Sequence, residues 1–199
     1  MKLLSTAYFP SIAYFSILVK EEKVFLEKHE NFIKQSHRNR CTIATPQGRL
    51  QLSIPLVQEG NKIITAHKKI SYTENWQLKH WRAIESAYNK SAYFEYFEEE
   101  IKKIVFTKKE LLFNFNLELV QQLLHLLRLK RELIETNEYK VTGDIEDYRE
   151  EETISETIIN FPSYYQVFST KTGFLPNVSV LDLIFNEGLK SIKYLSELK

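Results

Sequence analysis

Cysteine is nearly absent from this chain of 199 residues, since Cys41 is the only one. A single cysteine excludes an internal disulfide and a cysteine-based structural zinc site, and it is typical of a reducing compartment. The amino-terminal apolar run is interrupted by Ser5 and Thr6 and then meets Pro10, which does not fit a secretory signal peptide. The sequence therefore predicts a cytoplasmic location.

The chain also lacks an excess of either charge, with 27 basic and 26 acidic residues. Without a global field, we predict no nucleic-acid partner, and any electrostatic recognition must be local. No stretch approaches the roughly 18 apolar residues of a membrane span, so membrane insertion is not expected. The five histidines show no metal-ligand spacing, and phosphate-loop and dinucleotide fingerprints are missing. We therefore predict no metal and no cofactor, and the sequence leaves the oligomeric state open.

Hydrophobic periodicity indicates the fold class. An apolar strand at 3–9, a helix that follows Ser11 and the strand KVFLE at 23–27 form a βαβ unit, which implies a parallel sheet. Alternation on both sides of Pro46-Gln47-Gly48 predicts a β-hairpin. Thr107 and Glu110 have the spacing of a capping box before a long, apolar helix. We predict one α/β domain over 1–199, a sandwich with a mostly parallel sheet, an attached antiparallel hairpin and a long central helix.

The stretch 130–155 is polar and predicts a surface excursion of that domain, with a short strand near 139–141. After this stretch we expect ordered structure again in the segment FPSYYQVF. A helix is then expected to begin at Ser179 and Asp182 and to end at Gly188.

A short basic cluster is the main candidate for a ligand site, and its members are Lys34, His37, Arg38, Asn39 and Arg40. Arginine presents planar bidentate donors to phosphate or carboxylate, and an asparagine can bind a sugar hydroxyl. This composition predicts a site for an anionic small molecule. The alternative is a hydrated loop whose guanidinium groups pair with acids such as Glu27 or Glu30.

Other candidates lie further along the chain. His80 is a possible general base, although a histidine on an apolar helix face is more often a hydrogen-bonded core residue. Tyr164, Tyr165 and Gln166 could contact a sugar or base, or they could fill the core from a strand. Asn177 could orient a ligand at a helix N-terminus. Helix capping accounts for Ser179 and Asp182, and burial at the start of a strand accounts for Cys41.

Six segments, taken in order, resemble the short members of the WbqC-like family. They are AYFPSIAYF at 7–15, KQSHRNRC at 34–41, LSIPL at 52–56, WQLKHWRAIESAYNKSAYF at 76–94, YYQVF at 164–168 and FLPNVSVLDLIFNEG at 174–188. The chain departs from the family pattern at Ser5-Thr6, at Ala13 and in lacking the extra α/β segment of long members. The resemblance implies a setting in surface-polysaccharide biosynthesis and a transferase activity, including aminoacyl (glycine) transfer onto an amino sugar.

The basic cluster and the resemblance together predict a transferase that acts on a phosphorylated sugar or nucleotide-sugar. The alternative is a non-catalytic binding or scaffolding protein of the same pathway. We further predict that five residues converge on one pocket: Lys34, Arg38, Arg40, His80 and Asn177.

Overall fold

The computed structural model describes residues 1–58, 63–139, 145–150, 153–154 and 160–199. The chain begins with strand β1 (Lys2–Ser5), helix α1 (Ile12–Lys20) and strand β2 (Lys23–Glu27). β1 and β2 pair in parallel, so the predicted βαβ unit is confirmed. Ser11 caps α1 by accepting a hydrogen bond from the Tyr14 amide, which satisfies one of the free donors of the first turn.

The predicted hairpin follows as strands β3 (Arg40–Thr45) and β4 (Gly48–Ser53). They are antiparallel, with Thr45 opposite Gly48. Gly48 closes the turn at a φ of 102°, a left-handed value that glycine adopts without steric cost. The sequence reading of this hairpin is confirmed.

Three helices make up the middle of the chain: α2 (Trp76–Tyr88), α3 (Phe94–Phe106) and α4 (Leu112–Leu126). α4 is the long apolar helix expected from the sequence, and eight of its residues are buried. The predicted capping box is wrong, because Thr107 ends α3 instead of starting α4. Its amide and its hydroxyl both donate to the Lys103 carbonyl, while α4 starts without a side-chain cap.

Two further strands complete the main sheet, β5 (Glu132–Glu135) and β6 (Glu146–Tyr148). The order is β5-β2-β1-β6, and every pair is parallel. Part of the stretch expected as a polar surface excursion is thus sheet. Its acidic composition fits because β5 and β6 are the two edge strands, where charged side chains are tolerated. The strand predicted near 139–141 falls largely outside the described residues.

The carboxyl-terminal part holds helices α5 (Ser169–Thr172), α6 (Val180–Glu187) and α7 (Ser191–Glu197). Ser179 caps α6 and Gly188 ends it, as predicted. Residues 160–166 carry neither helix nor strand. The core is continuous from β1 and α1 through α4 to α6, which confirms the α/β class. Within the described chain, no helix is both long enough and apolar enough to cross a bilayer.

Candidate functional site

The carboxyl ends of the parallel strands are the expected place for a ligand. The chain moves from β1 through β2 to β5 and then returns to the other side of β1 with β6. Sheets of this kind bind ligands where the strand order reverses. At the carboxyl ends of β1 and β6, the Ser5 hydroxyl and Arg38 Nη2 both donate to the Arg149 carbonyl, at 3.1 and 3.2 Å.

Arg38 is held entirely by protein groups. Its side chain is 1% exposed, and Nε and Nη2 donate to the two carboxylate oxygens of Glu30 at 2.6 and 2.7 Å. Asn116 Nδ2 donates to the Arg38 carbonyl at 2.7 Å. Arg38 therefore follows the alternative reading of the basic cluster, a guanidinium paired with Glu30.

His37 lies between the sheet and a small cavity. Its Nε2 contacts the hydroxyl of Ser5, which is fully buried. The Ser5 hydroxyl also lies 3.1 Å from the Arg149 carbonyl and donates to it, which leaves the Ser5 oxygen able to accept from an Nε2–H group of His37. The imidazole also lines the cavity that contains Arg40.

That cavity has a volume of about 50 Å³ and lies where the chain passes from β1 into α1. Arg40 lines it together with polar residues from four segments, including Ser11, Gln35, Thr42, Gln51, Asn177 and Ser179. Among the lining residues that the structure describes there is no carboxylate. The cavity is therefore a polar space with a cationic wall.

Arg40 differs from Arg38 in having no side-chain partner among the residues that the structure describes. Across the described residues, its guanidinium forms neither a hydrogen bond nor an ion pair, and its buried Nε faces no acceptor. A partly buried cation without a counter-ion is unfavourable. This is the arrangement expected of a group that an anionic ligand completes.

Strained backbone surrounds the same cavity. Phe9, Gln35 and Asn177 have φ values of 36°, 60° and 49°, and all three line the cavity. Arg128 is the other non-glycine residue with positive φ in the described ranges. Residues without glycine's freedom adopt this conformation at a cost, and such strain clusters at functional sites.

The helix N-termini beside the cavity have their amides occupied. Asn177 Oδ1 accepts from the Ala13 amide at 2.9 Å, and the Ile12 amide donates to the Val178 carbonyl at 3.0 Å. Asn177 is thus a cap of α1, and its Nδ2 group is what remains for a ligand. The helix contributes the positive end of its dipole to the cavity and no free amide from these residues.

Lys34 lies in a groove next to the cavity. This groove has a volume of about 420 Å³ and shares Gln35 and Arg40 with the cavity. Asn39 also lines it, although the buried Asn39 Nδ2 donates to the Ile54 carbonyl at 3.1 Å. The basic cluster therefore divides between protein contacts and two neighbouring spaces.

His80 lies in the core, in neither the cavity wall nor the groove wall. Its Nδ1 is 2.8 Å from the Tyr8 hydroxyl, and its ring packs at 5.1 Å from that of Trp76. Burial lowers the His80 pKa to about 4, against a smaller opposing effect of a hydrogen bond with the Ser53 backbone. The five-residue convergence predicted from the sequence thus reduces to Arg40 and Asn177, with Lys34 in the adjoining groove.

Tyr164 and Gln166 belong to a separate polar cluster around Asp182. The Tyr164 hydroxyl and Gln166 Nε2 donate to Asp182 Oδ2 at 2.5 and 2.8 Å. Burial raises the pKa of Asp182 to about 6, although these hydrogen bonds and one from Tyr88 lower it. Tyr165 points outward and is 62% exposed. Tyr164 and Gln166 therefore tie the stretch 160–166 to α6, on which Asp182 lies.

Cys41 lines the cavity, yet burial raises the pKa of its thiol. A neutral buried thiol is a poor nucleophile, which agrees with reading Cys41 as a small hydrophobic residue. Within the described part of the chain, no group of three or more potential metal ligands comes together.

Sequence reasoning missed several residues of the cavity wall. Gln35, Thr42 and Gln51 lack a motif of their own, and Phe9 has a conformation that its residue type argues against. Of these residues, only Gln35 could have been suspected from the sequence, because it lies within the basic segment 34–40. Arg149, whose carbonyl accepts hydrogen bonds from Ser5 and Arg38, lies in the stretch expected to be a surface excursion.

The fold and site define an α/β protein with a small cationic cavity beyond the carboxyl end of its first strand. The chain belongs to the WbqC-like protein family, whose sequence model matches residues 6–154. This confirms the family expected from the six segments. The chain is also similar to the uncharacterized protein Rv1507c of Mycobacterium tuberculosis (strain ATCC 25618 / H37Rv), at 24% identity over 97% of this chain and 96% of the relative. No solved structure matches the chain.

Proposed function

We propose that this protein binds the anionic group of a phosphorylated sugar or nucleotide-sugar in surface-polysaccharide biosynthesis. The observation that carries the proposal is Arg40, a partly buried guanidinium that meets no acceptor among the described residues and lines a polar cavity. An anionic ligand would supply the missing charge. The setting in polysaccharide biosynthesis rests on membership of the WbqC-like family.

The size of the cavity limits what enters it. A water-sized group needs on the order of 10–15 Å³ of such volume, so the 50 Å³ cavity holds a few atoms. That is enough for the oxygens of a phosphate or carboxylate and too little for a sugar ring. The anionic group would sit in the cavity while the remainder of the ligand lies outside.

The polar wall suits an anion of this size. Hydroxyls of Ser11 and Ser179 and side-chain amides of Gln35 and Gln51 surround the space, and all of these groups can donate hydrogen bonds. Because the described wall contains no carboxylate, an anion meets no like charge there. A neutral ligand would leave the Arg40 charge uncompensated.

Binding can be measured by calorimetry and thermal shift with inorganic phosphate, glucose 1-phosphate and UDP-glucose, and with glucose as the neutral control. We expect stabilisation by the three anions and none by glucose. Arg40→Ala should abolish the stabilisation, whereas Arg82→Ala, at an exposed position on α2, should leave it intact. Equal responses of the two variants, or no response of the wild type at millimolar concentrations, would reject the proposal.

A transferase is the second candidate function, and the position of His37 favours it. His37 is the imidazole at the cavity, next to Arg40, and a histidine there could move a proton to or from a bound sugar. Mass spectrometry after incubation with nucleotide-sugars and aminoacyl donors would reveal product formation. A transferase requires turnover that His37→Asn removes without weakening ligand binding. If the protein binds these ligands without turning them over, the non-catalytic binding function is the one that remains.

A further inference from the structure

Two neighbouring spaces share Arg40. Both the small cavity and the groove of about 420 Å³ are lined by Arg40 and Gln35. A guanidinium has five N–H donors spread around a planar group, so it can bind separate acceptors at two of its edges. Arg40 uses none of these donors on the described protein.

The groove adds two further cations. Lys34 is exposed at its rim, and Lys68 is almost buried, with Nζ donating to the Val57 carbonyl at 2.7 Å. The Phe32 ring lies 5.9 Å from the same Nζ. No aspartate or glutamate is found in the part of the groove wall that the structure describes. Three positive charges therefore line two adjoining spaces in a chain whose net charge is +1.

We infer that the ligand carries two linked anionic groups, as a diphosphate does. This inference rests on the proposed function, since it assigns the first group to the cavity beside Arg40. The second group lies in the groove, between Arg40 and Lys34. The uncharged remainder of the ligand then packs against Phe32 and Leu56 of the groove wall.

A single phosphate leaves half of this arrangement unused. It is too small to occupy the cavity and the groove together, so Lys34 would not contribute contacts to it. A diphosphate places charge in both of the spaces that Arg40 lines, and each charge-assisted hydrogen bond gained adds to its affinity. The geometry thus distinguishes a diphosphate-linked substrate from a sugar monophosphate.

The test is a calorimetric titration with inorganic phosphate and inorganic pyrophosphate at equal ionic strength, with variants of Arg40, Lys34 and Lys190. Wild type should bind pyrophosphate at least about tenfold more tightly than phosphate, the equivalent of roughly one strong charge-assisted contact. Arg40→Ala should weaken both. Lys34→Ala should weaken pyrophosphate by about two- to fivefold, as expected for a partly solvated charge, and leave phosphate unchanged.

Lys34→Glu is the sharper variant, because it places a negative charge at the groove without touching the core, and it should remove the preference for pyrophosphate. Lys190→Ala, an exposed lysine on the carboxyl-terminal side, should change neither titration. Equal binding of phosphate and pyrophosphate would overturn the inference and leave the proposed function standing. Loss of pyrophosphate affinity in Lys190→Ala equal to that in Lys34→Ala would also overturn it, since only overall charge would then matter. Binding of neither anion would instead reject the proposed function.

Discussion

Arg38 and Arg40 are two positions apart, and their guanidinium groups have opposite surroundings. Arg38 is sealed in the core by both oxygens of Glu30, whereas Arg40 lines open space and meets no described acceptor. The first is part of the fold, and the second is the residue that we propose binds a ligand. Their different roles lead to different expectations for the same substitution.

Arg38→Ala should destabilise the protein by about 3–5 kcal/mol, because it strands the buried Glu30 carboxylate. Arg40→Ala removes no side-chain hydrogen bond or ion pair found among the described residues and should change the free energy of unfolding by no more than about 0.5 kcal/mol. Urea denaturation of the two variants without ligand measures both effects. A large loss of stability in Arg40→Ala would show that Arg40 has a structural partner and would remove the basis of the proposed site.

Asp182 should make the protein less stable as the pH rises through the mildly acidic range. Its pKa in the fold is about 6, above the ordinary 3.8, because the carboxyl is buried. Below pH 3.8 the protonated carboxyl makes its full contribution to the free energy of unfolding. This contribution, about 3 kcal/mol, is lost as the pH rises from 3.8 to about 6. Denaturation of wild type and Asp182→Asn between pH 3.5 and 7 should show this fall in stability in wild type relative to the variant.

Tyr164→Phe provides a matched test of the same cluster. The Tyr164 hydroxyl donates to Asp182 and lowers its pKa, so its removal should raise that pKa further. The pH-dependent loss of stability should then extend to higher pH. An unchanged pH profile in both variants would mean that Asp182 does not titrate in this range.

His80 should give the opposite dependence. Its pKa in the fold is about 4, below the ordinary 6.5, so the neutral ring stabilises the fold above pH 6.5. That contribution, about 3 kcal/mol, is lost as the pH falls from 6.5 toward 4. His80→Asn should be less stable at pH 7 and should lose less stability than wild type on acidification. NMR titration of the imidazole in the native protein checks the pKa directly, and a value near 6.5 would contradict the prediction.

Asn177 should contribute to stability as well as to the cavity. Asn177→Ala removes the hydrogen bond to the Ala13 amide and leaves a non-glycine residue at a positive φ of 49°. We expect a loss of about 1–2 kcal/mol. Asn177→Gly loses the same cap but relieves the backbone, so its loss should be smaller. A larger loss in the glycine variant, measured by thermal unfolding, would show that the backbone is not strained.

The local elements could be predicted from the sequence because their signals are local. The βαβ unit, the hairpin at Pro46-Gln47-Gly48 and the cap at Ser179 depend on periodicity and turn chemistry within a few residues. β6 could not be predicted. Its three residues are polar, and they become a strand only by pairing with β1 at the opposite end of the chain.

The site was predictable in composition and only partly in geometry. The sequence marks the basic cluster, but it does not show that Arg38 meets Glu30 while Arg40 meets none of the described acids. His80 illustrates the same limit, since its helical stripe favours a core residue but is also compatible with a catalytic base. The partner that decides between them, Tyr8, lies 72 positions away.

The pairing of β1 with β6 also affects how the chain folds while the ribosome is still synthesising it. Ser5 and the Arg149 carbonyl are 144 positions apart and join across that pairing, so one edge of β1 stays open until most of the chain has left the ribosome. Contacts of such long sequence separation form slowly, and an unpaired strand edge invites association with other chains. The nascent amino-terminal half therefore depends on its later residues, or on a chaperone, to stay free of aggregation. A truncation before residue 145 should be far less soluble than the full chain.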